Sequence, residues 1–248
     1  MFKTIFMVLL LAHILGDFYF RSETQTLRKF NSIKTIILHN LLYTVVAFMI
    51  SIPFFSIPVI ISISLLTLSH FIIDLLRYIC LKTKTDNIDN PQKERLVYIV
   101  YQFSHLLLIA IVAFLFIDGN NRASVLPIIE YVFDTICIPF WPAFNWILTI
   151  LLIWKPTNIT VKKLINIHKP ESDKNERRSG AFIGFLERFL IAIFLYINQY
   201  AAIGLVLTAK SIARYDKISK DQTFAEYYLL GTLLSTLSVI IICFAIFN

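Results

Sequence analysis

Apolar residues follow one another along this chain in stretches of about twenty, broken by short polar segments. A helix of about 20 residues crosses a hydrocarbon layer ~30 Å thick. Seven stretches meet that length: Phe2–Phe20, Thr35–Ile52, Pro53–Leu81, Leu96–Ile117, Leu126–Trp154, Gly180–Thr208 and Ala225–Phe247. They are continuous rather than alternating, which excludes the dyad pattern of a membrane β-barrel. The pattern predicts an all-α fold, a polytopic transmembrane helix bundle of about seven spans. The second and third spans are joined by "SIPFFSIP", a tight turn at Pro53 and Pro58. Pro139 and Pro142 interrupt the fifth and predict a kink or an interfacial entry helix there. Trp141, Trp146 and Trp154 suit interfacial positions. The sixth stretch, with "YINQY" in its middle, is either a crossing or a re-entrant hairpin. Residues 155–179 form the one long polar stretch. Its charge, and its lack of apolar period, predict a cytoplasmic loop inside a single integral membrane domain of 1–248.

Composition sharpens this picture. The chain of 248 residues is 57% apolar and 16% charged, with a mean hydropathy of +0.72, outside the range of soluble domains. The first apolar run carries His13 and Asp17 and lacks a small-residue cleavage site, so it is expected to be a retained span rather than a leader peptide. Cys80, Cys137 and Cys243 lie far apart, with neither disulfide nor zinc-ribbon spacing. Lys and Arg number four, five and seven in the segments after the first, third and fifth spans, against one at the N-terminus and Arg122 after the fourth. Positive residues mark cytoplasmic loops. The N-terminus is therefore expected outside, in a bacterial inner membrane. The net charge of +7 follows from topology and calls for no nucleic acid. Lys210, Arg214, Lys217 and Lys220 break the rule if the sixth stretch crosses.

Chemistry enters with "LAHILGDF" (11–18) and "LSHFIIDL" (68–75), which place His13 and Asp17, and His70 and Asp74, at i and i+4 on one helix face. Span four brings Gln102 and His105 at i and i+3. Counted from their basic flanks, His13, His39, His70 and His105 lie five to ten residues into the bilayer, one layer on the cytoplasmic side. Gly16 would let a neighbouring helix approach closely. Ionisable groups at membrane depth are costly and mark function. His13, Asp17, His70, Asp74 and His105 give five candidate ligands for a divalent metal, zinc or manganese, with Asp17 or Asp74 as a ligand or general base. His39 and Gln102 stand beside them. Alternatives for the same residues are a proton or ion relay and plain interhelical hydrogen bonding. His168 is expected to be a solvated loop residue. Glu187, Arg188, Lys210, Arg214 and Glu226 form a second polar set, in which Glu187 or Glu226 would pair with Lys210 or Arg214. Snorkelling charges are the alternative.

The segments "LAHILGDFYFRSE", "LHNLLYTV", "LSHFIIDLLR", "YQFSHLLLI" and "GFLERFL…INQYAAIGLVLTAKSIARY…AEYYLLGTLLS" resemble the bacterial membrane family known as domain of unknown function 3307. The likeness spans nearly the whole chain outside the polar loop. It implies a polytopic membrane protein with recurring His and Asp and no established activity. The chain departs from that family's pattern at Arg21, where Gln often stands, and at Tyr101, where Asp often precedes the Gln of "QxxH". A looser analogy is to membrane-bound metal-dependent hydrolases.

Three functions fit these residues. A metal-dependent hydrolase at the inner leaflet would use His13, His70 and His105 as ligands, with Arg21 and Arg77 either holding an anionic headgroup or anchoring the spans. A transporter would use the same layer as an ion or proton path. A membrane anchor would present the basic loop 155–179 to a soluble partner.

Overall fold

The computed structural model describes residues 2–20, 33–83, 91–116, 125–168 and 178–247. Arg21, Arg122 and residues 169–177 of the polar stretch lie outside the described residues. The described residues are almost all helical, with no strand among them. Its helices are α1 Phe2–Ile14, α2 Ile33–Ser51, α3 Ile57–Thr83, α4 Pro91–Leu115, α5 Pro127–Thr135, α6 Phe140–Ile165, α7 Arg178–Tyr196, α8 Tyr200–Ile212, α9 Tyr215–Lys220 and α10 Gln222–Phe247. Among the described residues, five helices are long and apolar enough to cross a membrane, or six if the bent pair α5 and α6 counts as one span.

The chain divides into two compact units, Met1–Ala143 and Phe144–Asn248. In the first, α1 packs against α2 and α4, and α3 packs between α2 and α4. The bilayer inverts the usual arrangement of residues. On α2 the buried positions are Ile36, His39, Asn40, Tyr43, Val46, Ala47 and Ser51, one stripe at helical period, while Leu38, Leu41, Val45 and Met49 face outward. On α3 the inward stripe includes Ser62, Leu66, His70 and Asp74, and on α4 Tyr101, His105, Ile109 and Val112. Polar groups therefore gather at the centre because lipid can satisfy none of their hydrogen bonds.

The second unit is built from most of α6 together with α7, α8, α9 and α10, around a core of Ile153, Ile191, Ala192, Val239 and Cys243. Two sequence expectations change here. The stretch from Lys155 is not a loop as far as Ile165: α6 continues to that residue, followed by a 3₁₀ turn, Asn166–His168. Ile153, Thr157, Val161 and Ile165 recur every fourth residue and are buried. That apolar stripe was hidden by the charges of Lys155, Lys162 and Lys163. The Gly180–Thr208 stretch is two helices rather than one. They reverse at Ile197–Gln199, where Asn198 takes a left-handed φ of 57° and Gln199 N–H donates to the Phe194 carbonyl at 2.8 Å. Asn tolerates that conformation better than most side chains. Glu187 on α7 meets Lys210 on α8 at 2.6 Å, so the two helices fold back along each other as a hairpin. Asp221 starts α10, accepting from Thr223 Oγ1 at 2.6 Å and from Phe224 N–H at 3.0 Å. These hydrogen bonds, that of Thr223 first, hold its carboxyl below the usual carboxylate range.

Candidate functional site

α1 does not run straight into its last turn. Leu15–Tyr19 widen into a π-helical turn that carries Gly16 and Asp17. Asp17 on this widened turn faces α2, α3 and α4. Asp17 Oδ1 lies 3.5 Å from His39 Nε2 and 4.0 Å from His70 Nε2, and its Oδ2 accepts from Gln102 Nε2 at 3.2 Å. Gly16 is needed for this packing. A Cβ there would stand 2.4 Å from Tyr43 Cδ2, and the Tyr43 ring in turn stacks on His70 at 3.8 Å and 17°.

Asp74 lies opposite. It accepts from Tyr101 Oη at 2.6 Å and from Asn40 Nδ2 at 3.1 Å. Its Oδ2 is 3.8 Å from His39 Nε2 and 3.9 Å from His70 Nδ1. Two carboxylates and four imidazoles are thus drawn from α1 to α4 into one buried group. His13 belongs to it through its stacking on His105 (4.9 Å, 22°) and through Nδ1, 3.4 Å from Tyr43 Oη. His13, Asp17, His39, His70, Asp74 and His105 are all buried. Among the described residues, two overlapping sets could hold a metal ion: Asp17, His39 and His70, and His70, Asp74 and His105. In each set the ligand atoms lie within 4.8 Å of one another.

Hydrogen bonds assign the tautomers. Asn40 Nδ2 donates to the Ile36 carbonyl at 3.0 Å, and a carbonyl can only accept, which fixes the amide. Its Oδ1 therefore accepts, and His70 Nδ1–H donates to it at 2.9 Å. The lone pair of neutral His70 is then on Nε2. His105 Nδ1–H donates to the Tyr101 carbonyl at 2.8 Å, which again leaves the lone pair on Nε2. The Nε2 atoms of His39 and His70 are buried and make no hydrogen bond among the described residues. Ligating histidines are held in this way, with one ring nitrogen oriented by an amide or carbonyl and the other presented.

The sequence-predicted residues mostly meet. His39 and Gln102, read as neighbours of the cluster, are inside it. Asn40, Tyr43 and Tyr101 were missed as members, although Asn40 and Tyr43 share the His39 stripe at a spacing that signals it. In the second polar set, Glu187 pairs with Lys210 as predicted. Arg188 is buried and donates from Nε to the Ile153 carbonyl at 2.6 Å. Glu226 is exposed and interacts with Gln222 at 3.4 Å, and Arg214 is exposed. The expected pairing of Glu226 with Lys210 or Arg214 is not what the structure shows for Lys210. Arg77 lies over the Tyr101 ring, 4.3 Å from its centroid.

Residues 5–133, which contain every member of the His/Asp group, match the sequence family described as protein of unknown function (DUF3307). No curated protein and no solved structure matches the chain.

Proposed function

The chain belongs to the DUF3307 family, whose function is unknown, and from that premise we propose that its first unit is a divalent-metal centre of a membrane hydrolase. The observation that carries this reading is the set Asp17 Oδ1, His39 Nε2 and His70 Nε2, with spacings of 3.5 and 4.0 Å to the carboxylate oxygen. Tetrahedral zinc with bonds of ~2.0–2.1 Å holds its ligands about 3.3 Å apart, so the donors need move little. Two buried carboxylates within 4 Å of His39 Nε2 also call for compensating positive charge, which a divalent ion supplies.

Three protein ligands leave a position for water or substrate, the pattern of catalytic rather than structural zinc. Bound there, zinc or manganese would polarise a carbonyl or phosphoryl oxygen and activate water. Asp74, engaged by Tyr101 and Asn40, orients His70 through Asn40. His105, its ring centroid 4.6 Å from that of His70, presents the Nε2 lone pair that would take the proton. The substrate class is an ester or phosphoester offered from the bilayer on the basic, cytoplasmic side of a bacterial inner membrane.

The test is the metal content of purified protein. A stoichiometric divalent ion is expected, and His70→Ala or Asp17→Asn should weaken its binding 10–100-fold or more. Asp74→Asn should cost less, because an amide still accepts from Tyr101. His168→Ala should change nothing. A second reading, a proton relay, is favoured by near-complete burial, since a relay needs no substrate to enter. It predicts metal-free protein, and proton flux in liposomes that Asp74→Asn abolishes. Folded, metal-free wild-type protein would overturn the metal centre.

A further inference from the structure

We propose that the second unit carries an intramembrane site for a phosphate-type anion, formed by Arg188 with Thr232, Ser235 and Tyr228. Arg188 is only 3% exposed. Its guanidinium lies back along α7 over Gly184, where a Cβ would stand 3.3 Å from Nη1. Nε donates to the Ile153 carbonyl and Nη1 to Ser235 Oγ at 3.3 Å. Nη2 is buried with no hydrogen-bond partner among the described residues.

Its surroundings repeat that incompleteness. Thr232 Oγ1 and Tyr228 Oη are likewise buried without a hydrogen-bond partner. Hydroxyls on apolar helices ordinarily donate back to the carbonyl four residues earlier, as Ser238 does to Leu234 at 2.7 Å and Thr208 to Gly204 at 2.8 Å. Thr232 does not, so its donor is unpaired among the described residues. Tyr228, Thr232 and Ser235 lie at spacings of four and three, along one face of α10, and Ser235 places that face against Arg188.

Charge points the same way. Lys210 is engaged by Glu187 at 2.6 Å and stands 5.5 Å from the Tyr228 ring, so that pair is neutral. α6 contains no carboxylate, and on α10 Glu226 is exposed. Glu187, next to Arg188 in sequence, also attracts its charge but is engaged by Lys210, so the hydrogen bonds of the guanidinium go to a carbonyl and a hydroxyl. A guanidinium edge beside hydroxyl donors matches the tetrahedral oxygens of a phosphate. The phosphate comes either from an anionic lipid headgroup or from free phosphate.

The experiment uses the full chain in two arms. In nanodiscs of mixed phosphatidylglycerol and phosphatidylcholine, native mass spectrometry counts retained lipid. In pure phosphatidylcholine nanodiscs, equilibrium dialysis measures inorganic phosphate. Preferential retention of phosphatidylglycerol identifies a lipid headgroup, and saturable phosphate binding identifies the free anion. In whichever arm binds, Thr232→Val should lower affinity about ten- to a hundredfold, the loss of one hydrogen bond to a charged group. Arg188→Gln should abolish binding. Because Arg188 also engages the Ile153 carbonyl, Thr232→Val is the decisive variant if Arg188→Gln fails to fold. Binding in neither arm, or binding unchanged by Thr232→Val, overturns the proposal.

Discussion

At Gly16 there is no room for even a single methyl group. The Tyr43 ring fills the space a side chain would take, and because it also stacks on His70, displacing it would disturb that stacking. Gly16→Ala should therefore destabilise the protein by about 1–3 kcal/mol, the usual range for overpacking. Read as a lowered unfolding temperature in detergent, an unchanged value would show that Tyr43 swings aside freely. Much of the site was legible at this scale. Histidines and aspartates stand out in apolar helices because each is costly there, and Gly16 was marked as a place of close approach. Asn40 and Tyr101 were harder to see, since an amide and a phenol are ordinary in such helices. Their importance comes from partners 34 and 27 residues away, Asp74 in both cases. At Tyr101 the phenol donates to a carboxylate rather than adding another.

Among the elements, α6 shows how a helix survives an internal proline. Pro156 has no N–H for the Leu152 carbonyl, and Thr157 Oγ1 reaches back to that carbonyl at 2.8 Å. Arg188 takes the Ile153 carbonyl beside it. Thr157→Val should cost about 1–3 kcal/mol by leaving a buried carbonyl unsatisfied. In a Pro156→Ala background, where residue 156 again has an N–H to give, the same change should cost much less. The coupling from a double-mutant cycle in denaturant measures this. A coupling of zero would mean that Thr157 and the proline are independent. The sequence reading stopped this helix at Trp154 because proline and lysine follow directly. Only the four-residue spacing of Ile153, Thr157, Val161 and Ile165 carried the contrary signal. The hairpin of α7 and α8 was visible as one of two possibilities. The Asn in "YINQY" is its physical cause, since it accepts the left-handed turn that folds one helix back on the other.

For the molecule as a whole, the hairpin changes the charge balance across the bilayer. With seven crossings, 16 Lys and Arg flank the membrane on the cytoplasmic side and six on the outer side. On the orientation expected from the charges, a hairpin in place of the sixth would return Lys210, Arg214, Lys217 and Lys220 to the cytoplasm and make the division 20 to two, with Lys3 and Arg122 alone outside. That is a stronger positive-inside bias, and it makes six crossings, the upper figure that helix length and hydropathy allow. The pairing of Glu187 with Lys210 supports the same reading, because it needs both helices to enter and leave on one side. Reporter fusions after Lys84, Lys169 and Lys217 should all report cytoplasm, and fusions after Arg122 or at Asn248 should report the outside. Lys217 is the informative position, since seven crossings would place it outside with the C-terminus inside. An external signal at Lys84 would overturn the orientation altogether, and with it the placing of the His/Asp group on the cytoplasmic side.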